Sequence, residues 1–129
     1  MSIVGVGIDL EPVESFRARP WSKRKKFYER IFSKSEIKYC RSFRDSAQRF
    51  AARFCAKEAL VKAAVSVTSL LTTDVEVARR PNGAPYLKAR SKRPAVRKFF
   101  LQYETHLSMT HSKQQAAAIV LLVQRGRRT

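Results

Sequence analysis

Hydrophobic positions change period several times along this chain, and each change predicts an element. The opening run "IVGVGI", Ile3 to Ile8, is β-branched and interleaved with Gly5 and Gly7, which suits a buried strand closely approached by other backbone. Asp9 follows at its C-terminal end. In "EPVESFRARPWSKRKKFYERIF" the apolar side chains Phe16, Trp21, Phe27, Tyr28 and Ile31 stand among Arg and Lys, which predicts short amphipathic helices broken at Pro20, one face of them basic. "SKSE", Ser33 to Glu36, has the spacing of a capping box and predicts a helix to about Phe43. The longest helical pattern, capped by Asp45 or Ser46, runs to about Val65 through Phe50, Phe54, Val61 and Val65 at three- and four-residue steps. The β-branched stretch "VSVTSLLTT" leaves its end undefined.

After that the pattern turns to strands. "DVEVA" and "PYLKA" flank "RRPNGA", whose Asn-Gly dipeptide predicts a hairpin over Asp74 to Ala89. A basic helix over Pro94 to Gln102 comes next, and "HLSMTH" and "AAAIVLLV" form two strands joined at "SKQQ". Three or four helices, about five strands and late hairpins predict an α+β fold with one long helix packed on a small, mostly antiparallel sheet. One domain is expected over residues 1–124, with a frayed basic tail over 125–129.

Composition adds one strong constraint. Lys plus Arg number 27 against 10 Asp plus Glu, a formal net charge of +17, which calls for an anionic partner: nucleic acid, an anionic membrane, a phosphorylated small molecule or an acidic protein. Cys40 and Cys55 are too few for a disulfide framework and lack metal-ligand spacing, so they read as buried thiols in a reducing compartment. No leader-like start and no run of membrane-spanning length is present, and a soluble cytoplasmic protein is expected.

Acids are scarce, so two of them draw attention. Asp9 ends an apolar strand, and Glu58 sits on the core-edge face of the long helix, four residues after Phe54 and four before Lys62. If strand and helix pack together, the two carboxylates converge on a hard cation such as Mg²⁺, or Mn²⁺ in its place. The plainer alternative makes Asp9 a turn cap and Glu58–Lys62 a solvated helix pair worth about 0.2–0.5 kcal/mol; spacing alone favours it. Lys62 then has two possible parts, a counter-ion for Glu58 or a cation that stabilises developing negative charge.

"GID" at Gly7 to Asp9 and, further along, "FCAKEALVKA" at Phe54 to Ala63 resemble the two-part signature of 4'-phosphopantetheinyl transferases. The short length, "RFAARFCAKEA" and the ending "LSMTHSKQQAAAIV" are similar to the small holo-acyl-carrier-protein synthases within that superfamily. The resemblance implies transfer of phosphopantetheine from coenzyme A to a serine of apo acyl carrier protein in fatty-acid biosynthesis, with Mg²⁺ on the pyrophosphate. It implies Asp9 and Glu58 as metal ligands, Glu58 as an aid to deprotonating the serine, and Lys62 as the cation at the departing phosphate. It implies coenzyme A contacts at Arg49, Arg53, Lys57, Lys62, Asn82, Gly83, Pro85, Ser108, Thr110 and His111. For the acidic carrier protein it implies a basic surface of Arg17, Arg19, Lys23, Arg24, Lys25 and Lys26, anchored by Phe16 and Trp21.

The family's glycine shortly after the long helix is missing from "AAVSVTSLLTT". The resemblance also implies a homotrimer, for which "DVEVA" and "AAAIVLLV" are apolar enough to form the interface. Two other readings compete: a nucleic-acid-binding basic module without catalysis, and an inactive trimeric scaffold.

Overall fold

The computed structural model describes residues 2–126, and the end of the basic tail falls outside the described residues. Among the described residues there are five strands and five α-helices: β1 Ile3–Pro12, α1 Glu14–Arg17, α2 Lys25–Ile31, α3 Lys34–Arg41, α4 Ser46–Ala63, β2 Val75–Arg79, β3 Pro85–Ala89, α5 Pro94–Gln102, β4 Tyr103–His111 and β5 Gln115–Gln124. They build two antiparallel sheets, one ordered β1-β5-β4 and the other a β2-β3 hairpin. The expected α+β class, the hairpin and the helix over Pro94 to Gln102 are all observed.

α4 is the spine. It presents Ala52, Ala56, Ala59 and Ala63, all buried, so its backbone can lie very close to a neighbour. The neighbour is β1, and the reason is Gly5 and Gly7. A Cβ on Gly7 would stand 1.8 Å from the Ala59 carbonyl oxygen, and one on Gly5 would stand 1.9 Å from that of Ala63. Strand and helix therefore meet backbone to backbone, which only glycine permits at these positions. On the opposite flank Phe16, Tyr28, Phe32 and Phe50 form an aromatic core that seats α1 and α2 on α4.

Several expectations are corrected. β1 runs to Pro12, so Asp9 lies inside the strand rather than at its end; pairing with β5 continues through Glu11↔Ala116. α4 stops at Ala63, and Val65 is 78% exposed, outside the apolar stripe it was expected to extend. Asp45 stands at the N-cap of α4 but makes no capping bond, because its carboxylate instead receives Arg17 Nη2 at 2.6 Å. Ser33 and Glu36 do form the capping box. Phe16 is 5% exposed and belongs to the core, so it cannot anchor a partner.

The interface expectation also moves. In "DVEVA" Val75 and Val77 are buried, and in "AAAIVLLV" Ala116, Ala118, Val120 and Leu122 point into the core, because β5 is the central strand. On the larger sheet the apolar side chains left in water are instead chiefly on β1, where Val6, Ile8 and Leu10 are 57%, 65% and 59% exposed and alternate with buried Gly7 and Asp9. With Ile119 of β5 beside Ile8 they make an apolar outer face on the larger sheet.

Candidate active site

Asp9 lies on the inner face of β1, under α4, and its side chain is 8% exposed. Oδ1 accepts from Lys62 Nζ at 3.0 Å, and the same amine donates to the Ile8 carbonyl at 3.0 Å. Oδ2 is buried and has no hydrogen-bond partner among the described residues. A buried carboxylate oxygen left without a donor is costly unless something charged or polar meets it. The close approach allowed by Gly5 and Gly7 brings Glu58 of α4 to the same place: burial, and then the Asp9 charge, hold the Glu58 carboxyl above its usual range, with Lys62 pulling the other way. Strand and helix thus bring the two carboxylates within each other's electrostatic reach. Lys62 pairs with Asp9 across the packing interface, so the solvated Glu58–Lys62 helix pair is not what forms.

A third acid joins them. Glu11 lies two residues beyond Asp9 and so on the same face of β1. Burial raises its carboxyl to about 7, with the nearby Asp9 and Glu58 charges adding to the effect and Lys62 opposing it. The signal was in the sequence as "DLE": period-two spacing in a strand places both acids on one side. Lys62 itself is raised, chiefly by its bond to Asp9, and stays protonated at neutral pH.

Among the described residues no group of three or more His, Cys, Asp or Glu is arranged to hold a metal ion alone. The donor set nevertheless suits Mg²⁺, which is commonly held by one or two carboxylates while phosphate oxygens and water complete its octahedron. The unpartnered Asp9 Oδ2 is the oxygen available for it.

The remaining expected contacts divide. Arg49 Nη1 lies 3.2 Å from His111 Nε2; burial, then the Arg49 charge, lower the imidazole, so the ring is neutral and accepts there. Strand pairing sets Glu11, Ala116 and His111 in one row, so His111 shares the inner face of the sheet with Asp9 and Glu11. Ser108 and Thr110 alternate with it, pointing from the outer face beside Ile8 and Leu10. Arg53 is 2% exposed, with its guanidinium over the Tyr39 ring and Nε unpartnered; Arg79 lies over the same ring. Asn82 and Gly83 lie in the hairpin turn of the smaller sheet, where Gly83 has φ +89° and Asn82 Oδ1 accepts from the Ala84 amide, and Pro85 begins β3.

Lys57 is the clear failure among the expected ligand contacts. It is fully buried, donating to Glu36 Oε1 at 2.8 Å and to the Ile31 carbonyl at 2.6 Å, and cannot reach a bound nucleotide. On the basic surface Arg19, Lys23, Arg24, Lys25 and Lys26 are exposed as expected, and Trp21 is half-buried under the Arg41 guanidinium. Arg17 is engaged with Asp45 and the Lys113 carbonyl, so its charge is partly spent within the molecule. Both thiols are pushed up to about 12 by burial, which leaves Cys40 and Cys55 inert.

Comparison with known proteins gives a consistent answer. A family model described as the 4'-phosphopantetheinyl transferase superfamily matches residues 5–120. The chain is 37% identical to a holo-[acyl-carrier-protein] synthase of Koribacter versatilis over 93% of its length and 98% of that protein's. It is 38% identical to the synthase of Treponema denticola over the same shares of the two chains. Its fold overlays a Bacillus anthracis holo-(acyl-carrier-protein) synthase solved with CoA (3',5'-ADP), with a TM-score of 0.71 at 30% identity, covering 95% of this chain and 98% of that one. The nucleic-acid-binding alternative finds no support in these likenesses.

Proposed function

Because the chain belongs to the 4'-phosphopantetheinyl transferase superfamily, we propose that it acts as a holo-acyl-carrier-protein synthase. It moves the phosphopantetheine arm of coenzyme A to a serine of apo acyl carrier protein and releases adenosine 3',5'-bisphosphate. The observation that carries this reading is the buried Asp9 carboxylate, bridged by Lys62 on one oxygen and bare on the other, facing Glu58 across the strand–helix contact.

Asp9, through Oδ2, and Glu58 would hold Mg²⁺ or Mn²⁺, with Glu11 adding negative charge beside them. The metal would neutralise charge on the pyrophosphate while its bridging P–O bond breaks and adenosine 3',5'-bisphosphate leaves. Lys62 does related work from its own side: Asp9 and the Ile8 carbonyl fix its stem and two of its protons, and the amine, 54% exposed, offers the rest to a phosphate oxygen. Its raised pKa favours electrostatic stabilisation over giving up the proton. Glu58, held above the usual carboxylate range, is suited to receive the serine proton at neutral pH.

Coenzyme A carries a pyrophosphate and a 3'-phosphate, and Arg49 with the neutral His111 offers donors on the same sheet face as Asp9. Arg53, Asn82, Gly83 and Pro85 are assigned to the nucleotide as well, Arg53 because its buried charge lacks a carboxylate partner. Ser108 and Thr110 face away from Asp9, which is reconciled by a homotrimer packed through the apolar face of Val6, Ile8, Leu10 and Ile119: the two hydroxyls then lie at a subunit boundary, next to a neighbour's site. An acidic carrier protein docks on Arg19, Lys23, Arg24, Lys25 and Lys26 with Trp21 at the edge, and the +17 charge speeds the encounter. No helix among the described residues is long and apolar enough to cross a membrane, in keeping with service to cytoplasmic fatty-acid biosynthesis.

Incubation with coenzyme A, Mg²⁺ and apo acyl carrier protein should give a carrier heavier by one phosphopantetheine in intact-mass spectrometry. No gain across several carrier proteins sinks the proposal.

A further inference from the structure

Lys57 and Glu36 form an ion pair in which both side chains are fully buried, an arrangement seldom kept for stability alone, because desolvation offsets much of the attraction. The polar contacts of the pair join α4 to α2 and α3 and, through Glu36, to β2. Lys57 Nζ donates to Glu36 Oε1 of α3 and to the Ile31 carbonyl at the end of α2, and lies 4.8 Å from the centre of the Phe32 ring. Glu36 Oε1 also accepts from the Ser33 amide at 2.9 Å, and Oε2 accepts from the Val77 amide of β2 at 3.1 Å. Four elements thus meet at one buried charge pair, and the mechanism above uses none of it.

Its place along α4 gives it a purpose. The helix packs on β1 through alanines, whose small, nearly uniform surface resists rotation about the helix axis weakly. Lys57 immediately precedes Glu58, and adjacent helical residues point about 100° apart, so holding the direction of Lys57 also holds the direction of Glu58. Lys62 is tied on the other flank to Asp9 and the Ile8 carbonyl. α4 is therefore held by one amine on each side, with Glu58 between them.

We propose that Lys57, through its buried bridge to Glu36, is a positioning residue for the transfer reaction: it sets the rotation of α4 so that the Glu58 carboxylate meets Asp9. The proposal rests on the transferase reading. Removing Glu36 alone leaves the buried Lys57 amine with the Ile31 carbonyl as its one remaining bond among the described residues, so the first test replaces both ends together.

The test is the double variant Glu36→Met/Lys57→Met, which removes both charges and keeps side-chain length. Replacing a buried pair with apolar residues is often neutral for stability, so a cooperative melt close to wild type is expected. Turnover should fall at least about tenfold, equivalent to ~1.4 kcal/mol of transition-state stabilisation, while KM for apo carrier protein stays within about twofold, because the basic docking surface is untouched. Mn²⁺ binding followed by electron paramagnetic resonance should weaken in parallel, as the two carboxylates lose their spacing. Glu36→Gln, which keeps an acceptor and the shape, should show a smaller loss with the same split, and it decides the matter if the double variant does not fold. Wild-type kcat and Mn²⁺ affinity in either folded variant overturn the positioning role. A wild-type protein without transfer would instead overturn the transferase reading, and the Mn²⁺ measurement would still report on the positioning.

Discussion

Gly7→Ala tests whether the strand–helix contact is what assembles the site. The added methyl carbon would stand 1.8 Å from the Ala59 carbonyl oxygen and 2.7 Å from the Ala63 nitrogen, where ordinary contacts begin near 3.4 Å. Both obstacles are backbone of the same helix, so no rotamer change relieves them, and β1 and α4 must separate by about 1.6 Å. Overpacking costs about 1–3 kcal/mol; with only backbone to yield, the upper end applies. For a domain of this length that corresponds to a fall in Tm of roughly 10 °C. The same separation draws Asp9 on β1 away from Glu58 and Lys62 on α4. A displacement on the order of 1 Å costs about a hundredfold in rate when reacting groups must be aligned, so kcat should drop about that much even at temperatures where the variant is folded. Calorimetry and the carrier-protein mass assay, run well below the variant's midpoint, measure the two effects separately. Gly126→Ala is the control, since nothing lies within 4 Å of its added carbon. A Gly7→Ala protein with unaltered Tm and turnover would refute the argument that this contact sets the site.

Other consequences follow from the same geometry. Asp9→Asn and Glu58→Gln should each abolish transfer with little loss of Tm, because neutralising one of two facing acids relieves repulsion; activity retained in both, by the mass assay, removes the metal assignment. Glu11 has a folded pKa near 7 against about 4.5 unfolded, so the stability tied to its protonated form is lost as pH rises through that range. In chelator, the Tm of Glu11→Gln relative to wild type should therefore climb from pH 5 to pH 8, and a pH-independent difference contradicts the assignment. If the proposed trimer packs through this face, Ile8→Lys with Leu10→Glu should give monomers in analytical ultracentrifugation, and a monomeric wild type rules the trimer out.

Much of the fold was legible because its signals are local. Asn82-Gly83 specifies a tight turn, and the structure has Gly83 at positive φ with the Asn82 side chain closing the loop. Ser33 and Glu36 lie three residues apart, which is all that a capping box requires. Gly5 and Gly7 announced a close backbone approach, and Asp9 and Glu58 each sat at the edge of an apolar surface that had to find a partner. Glu11 was as legible as Asp9, since strand alternation extends to it, but β1 was taken to end too early.

What could not be read was which charges the fold would enclose. Lys57 and Lys62 are the same residue type on one helix, yet one is sealed against Glu36 while the other reaches over Asp9 to solvent. Glu36 announced itself as a cap and also became the counter-ion of a buried amine. β5 is as apolar as an interface strand, but its place between β1 and β4 puts it in the core and leaves the apolar face of β1 outside. The sequence by itself determined the turns, the caps, the helical and strand periods and the two carboxylates offered at the junction. Tertiary structure alone decided which cations are sealed into the packing and which stay open to solvent, because that depends on the water left around a charge and on the distant group it faces. Both are set only when α4 lies down on β1.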